Sequence, residues 1–158
     1  LRAAKDIGIE VPAKAIEEAV AYIRRMADPA GGFGYDGRGD RQAMRGVGLL
    51  ALPVCGVYEA PELAKTAALC LKDPPKWQGP FFFYGTYYAS VGMYQMGDEA
   101  CEKFYPLVDE ILLKNQLPDG SWPDPPQNQD GHFGPVYRTA LATLALAVHH
   151  HLLPIYQR

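Results

Sequence analysis

Apolar residues recur at helical spacing along most of the chain. Ile16, Ala19, Val20, Ile23 and Ala27 share one side of a helix, with Glu17, Glu18, Arg24 and Arg25 on the other. This predicts a one-sided surface helix over about 12–27, opened by Pro12 at a first helical position and ended by Asp28-Pro29. Residues 1–11 read as a lead-in, and 30–39 as a glycine-rich loop. A second helix is predicted over about 40–56, with Ala43, Val47, Leu50, Ala51 and Val54 apolar and Pro53 ending or kinking its last turn. Past Arg45 this helix carries no charge on any face, so it is expected to be enclosed nearly all round. A third helix, about 59–71, turns Leu63, Ala67, Cys70 and Leu71 inward and stops at Asp73-Pro74-Pro75. The fourth, about 81–96, is aromatic and uncharged. Its Phe and Tyr run suits a strand by propensity, but its helical neighbours favour a helix. Asp98 opens a fifth helix, with Phe104, Leu107, Val108, Ile111 and Leu112 inside and Glu102, Lys103, Asp109, Glu110 and Lys114 in water. A proline-rich loop over 117–135 leads to a sixth helix, about 136–152, built on Ala140, Leu141, Leu144, Ala145 and Val148.

Helices with a charged face thus alternate with helices that have none, which predicts outer and inner partners in three helical hairpins. The inner helices align with one another at Gln42, Thr86 and Thr139, spaced by 44 residues (42 to 86) and 53 residues (86 to 139). The loops after the first and fifth helices also match: Pro29 falls on Pro118, Gly31 on Gly120 and Phe33 on Trp122. A pattern that recurs along one chain is the mark of a repeat architecture, whose units cannot bury their faces alone. The expected fold is all-α: one domain over 1–158, with repeats at about 12–56, 57–97 and 98–153.

The second loop carries the resemblance. Leu112, Gln116, Gly120 and Trp122 match the repeat motif of the terpenoid cyclase and protein prenyltransferase superfamily: an aromatic-aliphatic pair, then Gln, three residues, Gly, one residue and Trp. Ile111 stands at the aromatic position. The first copy keeps Tyr22, Ile23, Gly31 and Phe33 but has Ala27 for the Gln, and the middle linker offers only Trp77-Gln78-Gly79. From residue 12 onward the chain resembles this superfamily, which implies an α/α toroid, here an array of three hairpins making about half a ring. In such a motif the Gln bonds exposed backbone groups at a helix end and the Trp packs against the next hairpin.

The superfamily's catalytic residues do not carry over. The Asp-x-Asp-Asp acid of squalene-type cyclases is missing, and Asp36-Gly37-Arg38-Gly39-Asp40 has the wrong spacing. The prenyltransferase zinc ligands, an Asp-x-Cys and a distant His, fall on Tyr84-Gly85-Thr86 and on Arg138, which are not usual ligands. No metal and no cofactor is therefore expected.

Other chemistry is sparse. The inner helices are expected to start at one end of the array, placing Arg41, Arg45 and Arg138 with Tyr84, Tyr88 and Tyr137 at helix amino ends, a setting suited to an anionic head group. The competing reading pairs each Arg with a loop acid such as Asp36, Asp40, Asp124 or Asp130. The run Phe81–Phe83, Tyr84, Tyr87, Tyr88 can wall an isoprenoid cavity by cation–π contact, though helical spacing sends most of it into the core. His132 in the loop can serve as an acid or base, while His149, His150 and His151 point about 100° apart and read as a helix end.

Of the 158 residues, 48% are hydrophobic and 21% charged, enough apolar content for one folded domain, and a net charge of -3 gives no case for nucleic acid. No apolar run is long enough to span a membrane. Cys55, Cys70 and Cys101 are scattered in apolar stretches and read as reduced and buried, which fits a cytoplasmic setting. The chain begins at Leu1 rather than Met, so a removed leader or upstream region is expected.

The reading that follows is a toroid-repeat domain without cyclase or prenyltransferase chemistry, acting in ligand binding or interaction. It would bind an anionic or isoprenoid small molecule, a second copy, or the remainder of a longer chain. The first alternative is an isoprenoid-metabolism transferase or isomerase whose acid lies outside this segment. The second is a carbohydrate-active α/α toroid using Asp36, Asp40, Asp124 and Asp130.

Overall fold

The computed structural model describes residues 1–126 and 133–150. Among them are seven α-helices and no strand, only a single antiparallel bridge between Ala27 and Phe33. The helices are α1 (Arg2–Asp6), α2 (Ala13–Met26), α3 (Gln42–Val54), α4 (Pro61–Lys72), α5 (Phe82–Gln95), α6 (Asp98–Lys114) and α7 (Gly134–Ala147), and a 3-10 turn follows at Val148–His150. Six of them match the predicted helices within a few residues. The exception is α1, which falls in the expected lead-in; none of its residues is buried, so it has no apolar side to betray it.

The core is built from α3 and α5. Leu49, Leu52, Phe82, Phe83, Val91 and Met93 are all buried, joined by Leu63 of α4 and by Phe104, Val108 and Leu112 of α6. The Phe82 and Phe83 rings meet edge-on at 5.1 Å, and Trp77 of the preceding linker closes on both. Most of the aromatic run is therefore packing rather than cavity wall, as burial of large rings favours.

α3 and α5 touch through glycine. A Cβ at Gly85 would lie 2.9 Å from Ala43 Cα, one at Gly46 only 2.1 Å from Ala89 N, and one at Gly92 2.6 Å from Leu49 Cβ. These pairs advance in the same direction along both helices, so the two run parallel and share an amino-terminal end. α6 runs antiparallel to α5: Tyr105 Oη donates to Ser90 O (3.0 Å) and Cys101 Sγ reaches Met93 O (3.5 Å). α7 packs beside α5, continuing the series α3, α5, α7.

The outer helices behave as their charge pattern predicts. α2 has no buried residue and turns Val20, Ile23 and Met26 against the core. The sequence predicts an equally enclosed sixth helix, and here the structure differs. α7 buries only Ala142 and Ala145, while Val136 is 82% exposed and Ala140 and Thr143 face solvent. A charge-free surface predicts burial, but none of the described residues covers this side of α7.

The two matched loops adopt the same turn. Asp28 N donates to Gly32 O (3.1 Å) as Leu117 N donates to Ser121 O (2.8 Å), and Gly31 N bonds Asp28 O (3.0 Å) as Gly120 N bonds Leu117 O (2.9 Å). Even the helix ends agree, with Ala27 N on Arg24 O and Gln116 N on Leu113 O. Every donor and acceptor is displaced by 89 positions (28 to 117, 32 to 121). Gly31 and Gly120 hold φ of 114° and 83°, a region that penalises side chains. Nothing lies within 4 Å of a Cβ at Gly120, so Gly120→Ala is expected to cost only the backbone strain, about 1 kcal/mol. A Cβ at Gly31 would press on Lys65 O at 3.0 Å, so Gly31→Ala should lower the urea midpoint further than Gly120→Ala.

Candidate functional site

The shared amino-terminal end of α3 and α5 gathers several residues that the sequence singles out. Arg45, in the first turn of α3, is 5% exposed. Its guanidinium forms a two-pronged pair with Asp40, Nε to Oδ1 at 2.7 Å and Nη2 to Oδ2 at 2.6 Å. Nη1 donates to Asp73 O (2.9 Å) and Asp73 Oδ2 (3.0 Å), and Lys76 Nζ sits 2.6 Å from Asp73 Oδ1. The hydrogen bonds that Arg45 donates to Asp40 outweigh burial and raise the Arg45 pKa further, so the cation is permanent. Asp73 is held below the ordinary carboxylate range by the Lys76 hydrogen bond first, and by Arg45 next.

Two cations and two carboxylates cancel in this cluster. Its role is to tie the loop before α3 to the end of α4, and it leaves Arg45 committed to protein oxygens rather than to a ligand. Gln42 joins the same seam, donating to Pro74 O at 2.8 Å. Gly32 makes the approach of Asp40 feasible, because a Cβ there would lie 2.2 Å from Asp40 Oδ1.

The tyrosines form a separate group. Tyr84 and Tyr88, one turn apart on α5, have ring centroids 4.7 Å apart, and Tyr88 meets Tyr87 at 5.1 Å. Burial first, then the phenols of Tyr88 and Tyr35, raise the Tyr84 pKa, so Tyr84 stays a neutral hydroxyl. Tyr35 is 70% exposed, Asp36 next to it in the chain is exposed too, and Arg41 is exposed where the loop enters α3. Tyr137 stacks on Phe133 (4.9 Å), and Arg138 Nε reaches Trp122 O at 3.4 Å. The structure thus unites Asp40 with Arg45, and Tyr84 with Tyr88, while Arg138 reaches the Trp122 loop and Tyr137 packs on Phe133. Asp124 is exposed; Asp130, His132 and His151 lie outside the described residues.

The motif residues fasten the loops. Trp122 is 2% exposed and its indole Nε1 donates to Leu112 O (2.9 Å), while Gln116 Nε2 donates to Gly120 O (2.9 Å). Phe33, its counterpart, is equally buried and lies over Gly48 of α3. Gly32 N donates to Thr66 Oγ1 (2.9 Å) and Lys65 Nζ to Pro29 O (2.7 Å), anchoring the first loop on α4. Sequence reasoning missed Thr66, Lys65, Asp73 and Lys76 in these roles. The acid ahead of Pro74-Pro75 is the only signal for the last two, and its position predicts no more than a helix stop.

At the positions aligned with the zinc ligands, Gly85 packs on Ala43 and Thr86 is 1% exposed with its hydroxyl unpartnered. No cluster of three or more His, Cys, Asp or Glu among the described residues is arranged to hold a metal ion. None of the three cysteines is in a disulfide, and burial pushes the Cys70 thiol up to about 12, far from reactive. No helix among the described residues is long and apolar enough to cross a membrane.

The described residues also line two surface grooves. One, of about 690 Å³, runs between α4 and α6 over Leu63, Ala64, Ala67 and Ala100, with Glu59 and Lys103 at its edge. The other, of about 680 Å³, follows the open side of α7 beside Ser121. Set against known proteins, the chain matches no family model, no curated protein and no solved structure.

Proposed function

We propose that this chain is an arc of three α-hairpins of the toroid kind, resembling terpenoid cyclases and protein prenyltransferases, that serves as a binding or interaction module without their chemistry. The observation that carries the reading is the open, charge-free side of α7, at the end of a series in which α3 and α5 are enclosed. An exposed apolar helix face is a surface for a partner. The consumption of Arg45 and Asp40 in a closed ion-pair cluster supports the same reading, because it removes the best-placed charges from catalysis. Incubation with an isoprenyl diphosphate and a cysteine acceptor peptide, and separately with a linear polyene, tests it. No product is expected, and a cyclised or prenylated product overturns it.

A second role rests on Tyr35, Tyr84 and Tyr88 grouped together, a setting whose ring faces suit an isoprenoid small molecule. Titration of an isoprenyl diphosphate against tyrosine fluorescence checks it. A saturable change lost in Tyr84→Ala supports the site, and a flat response removes it.

A further inference from the structure

We propose that Asp36-Gly37 is a site of spontaneous aspartyl isomerisation, a covalent change that the fold suppresses at the like dipeptide Asp119-Gly120.

In an Asp-Gly pair the amide nitrogen of the glycine can attack the aspartate Cγ. A C–N bond forms, the Cγ–O bond breaks and water leaves, which closes a five-membered succinimide. Water then adds to one of the two ring carbonyls. Addition at Cγ restores aspartate. Addition at the main-chain carbonyl leaves the glycine nitrogen bonded to Cγ, an isoaspartate. One water leaves and one returns, so the mass is unchanged and no other reactant is needed. The step requires an amide nitrogen free to turn, a carboxyl that no donor holds, and a successor with no side chain in the way. Asp36, Asp119 and Asp130 precede glycine, whereas Asp28, Asp73 and Asp124 precede proline, which has no amide hydrogen to lose. Asp130 lies outside the described residues.

The structure separates the two remaining pairs. Asp36 is exposed, and no hydrogen bond or ion pair among the described residues reaches its carboxylate or Gly37 N. A Cβ at Gly37 would meet nothing within 4 Å, so the ring has room to close. At Asp119 both reacting groups are held. Its Oδ1 accepts from Ser121 N (2.9 Å) and Ser121 Oγ (2.7 Å), and Gly120 N donates to Leu117 O (2.9 Å). The Ser121 hydroxyl first, then its amide, also keeps the Asp119 carboxyl below the ordinary carboxylate range, and an ionised carboxyl is a poor target for a nucleophile.

The site has a consequence for the fold. Residues 34–39 leave and return to one acceptor, because Gly34 N and Gly39 N both donate to Met26 O, at 2.9 and 3.4 Å. An isoaspartate adds one carbon to the main chain inside that closed excursion. The longer Gly39 bond is the first to give, and the next residue, Asp40, is the one that grips Arg45.

Peptide mapping by mass spectrometry after storage of the intact chain at neutral pH and body temperature tests this, with electron-transfer fragmentation to locate isoaspartate. The natural chain, Gly37→Val and the natural chain in urea are stored side by side. Gly37 has open space around a Cβ and does not hold a positive φ, so valine fits there, and circular dichroism melts check that. In the folded chain isoaspartate should build up at 36 about tenfold faster than at 119 or more, since reaction at 119 waits on local opening of its turn. In urea the two sites should react alike, and Gly37→Val should lose the product at 36. The stored natural chain should also show a lower urea midpoint, unlike Gly37→Val. A folded chain with no isoaspartate at 36, equal rates at 36 and 119 in the folded chain, or undiminished product in Gly37→Val overturns the proposal. A site at 119 that stays slow in urea overturns protection by the fold, and abundant isoaspartate at 36 with the starting midpoint overturns the link to Asp40.

Discussion

Replacement of Gly46 by leucine is expected to abolish the cooperative thermal unfolding of this chain. Propensity alone argues the other way, since removing a mid-helix glycine favours a helix by about 1 kcal/mol. Packing decides the sign. A Cβ at Gly46 would stand 2.1 Å from Ala89 N, 2.1 Å from Tyr88 C and 2.4 Å from Tyr88 O. These are backbone atoms of α5 and have no rotamer in which to escape, so the helices must separate by more than an ångström. Separation opens the seam along Gly85 and Gly92 and strips contacts from Leu49 and Met93, both fully buried. Overpacking of a dense core costs about 1–3 kcal/mol and occasionally more. At a helix crossing the cost of alanine is expected near the top of that range. Leucine adds three further carbons to the same gap and should exceed the stability of a typical domain, about 5–15 kcal/mol. Circular dichroism against temperature checks this. An alanine variant that melts at the natural midpoint would contradict the close α3–α5 contact.

The second large effect is expected from Arg45→Met. The side chain is 6% exposed, and Asp40 and Asp73 are 31% and 34% exposed. Removing the guanidinium leaves two carboxylates facing a neutral side chain. Water reaches both, so the loss should lie at or below the lower end of that for breaking a buried pair, about 3 kcal/mol. The variant should also change the acid response. The Asp73 pKa is lowered in the folded protein, by Lys76 foremost and by Arg45 as well. A lowered carboxylate pKa contributes stability that is fully present above the unfolded value, about 3.9 for aspartate. That contribution is lost as the pH falls through the folded value. The natural chain should therefore lose part of its stability below the ordinary aspartate range. Arg45→Met should start lower at neutral pH and lose less on acidification, keeping the share due to Lys76. Urea midpoints at neutral pH and through the acid range measure both. Equal midpoints at neutral pH would show the cluster to be dispensable.

Much of the helical framework was legible because burial writes itself into spacing. Phe104, Val108 and Leu112 recur at four-residue steps and all three are buried, which is why α6 was readable. The matched loops were legible for a different reason. A left-handed turn requires glycine and a fastened loop requires a large ring, so Gly31 with Phe33 and Gly120 with Trp122 survive as a pattern. What was not legible depends on pairing across the chain. Arg45 could be assigned an acid, but that Asp40 and Asp73 share it follows only once α4 ends beside α3. By propensity the glycines of α3 and α5 are weak points in a helix, and only the 2.1 Å clearance shows them to be the crossing itself. The open side of α7 misled because an uncharged face has the same composition whether a neighbour covers it or a partner is to come.

Hydrogen exchange followed by mass spectrometry at several protein concentrations tests the central claim, an enclosed α3–α5 pair with α7 as the interaction face. Amides of α3 and α5 should be the slowest at every concentration, because their opening requires the core to open. Amides of α7, residues 134–147, should exchange faster than those of α3 and α5, since α7 buries only Ala142 and Ala145. Exchange in α7 as slow as in α5 would contradict the account.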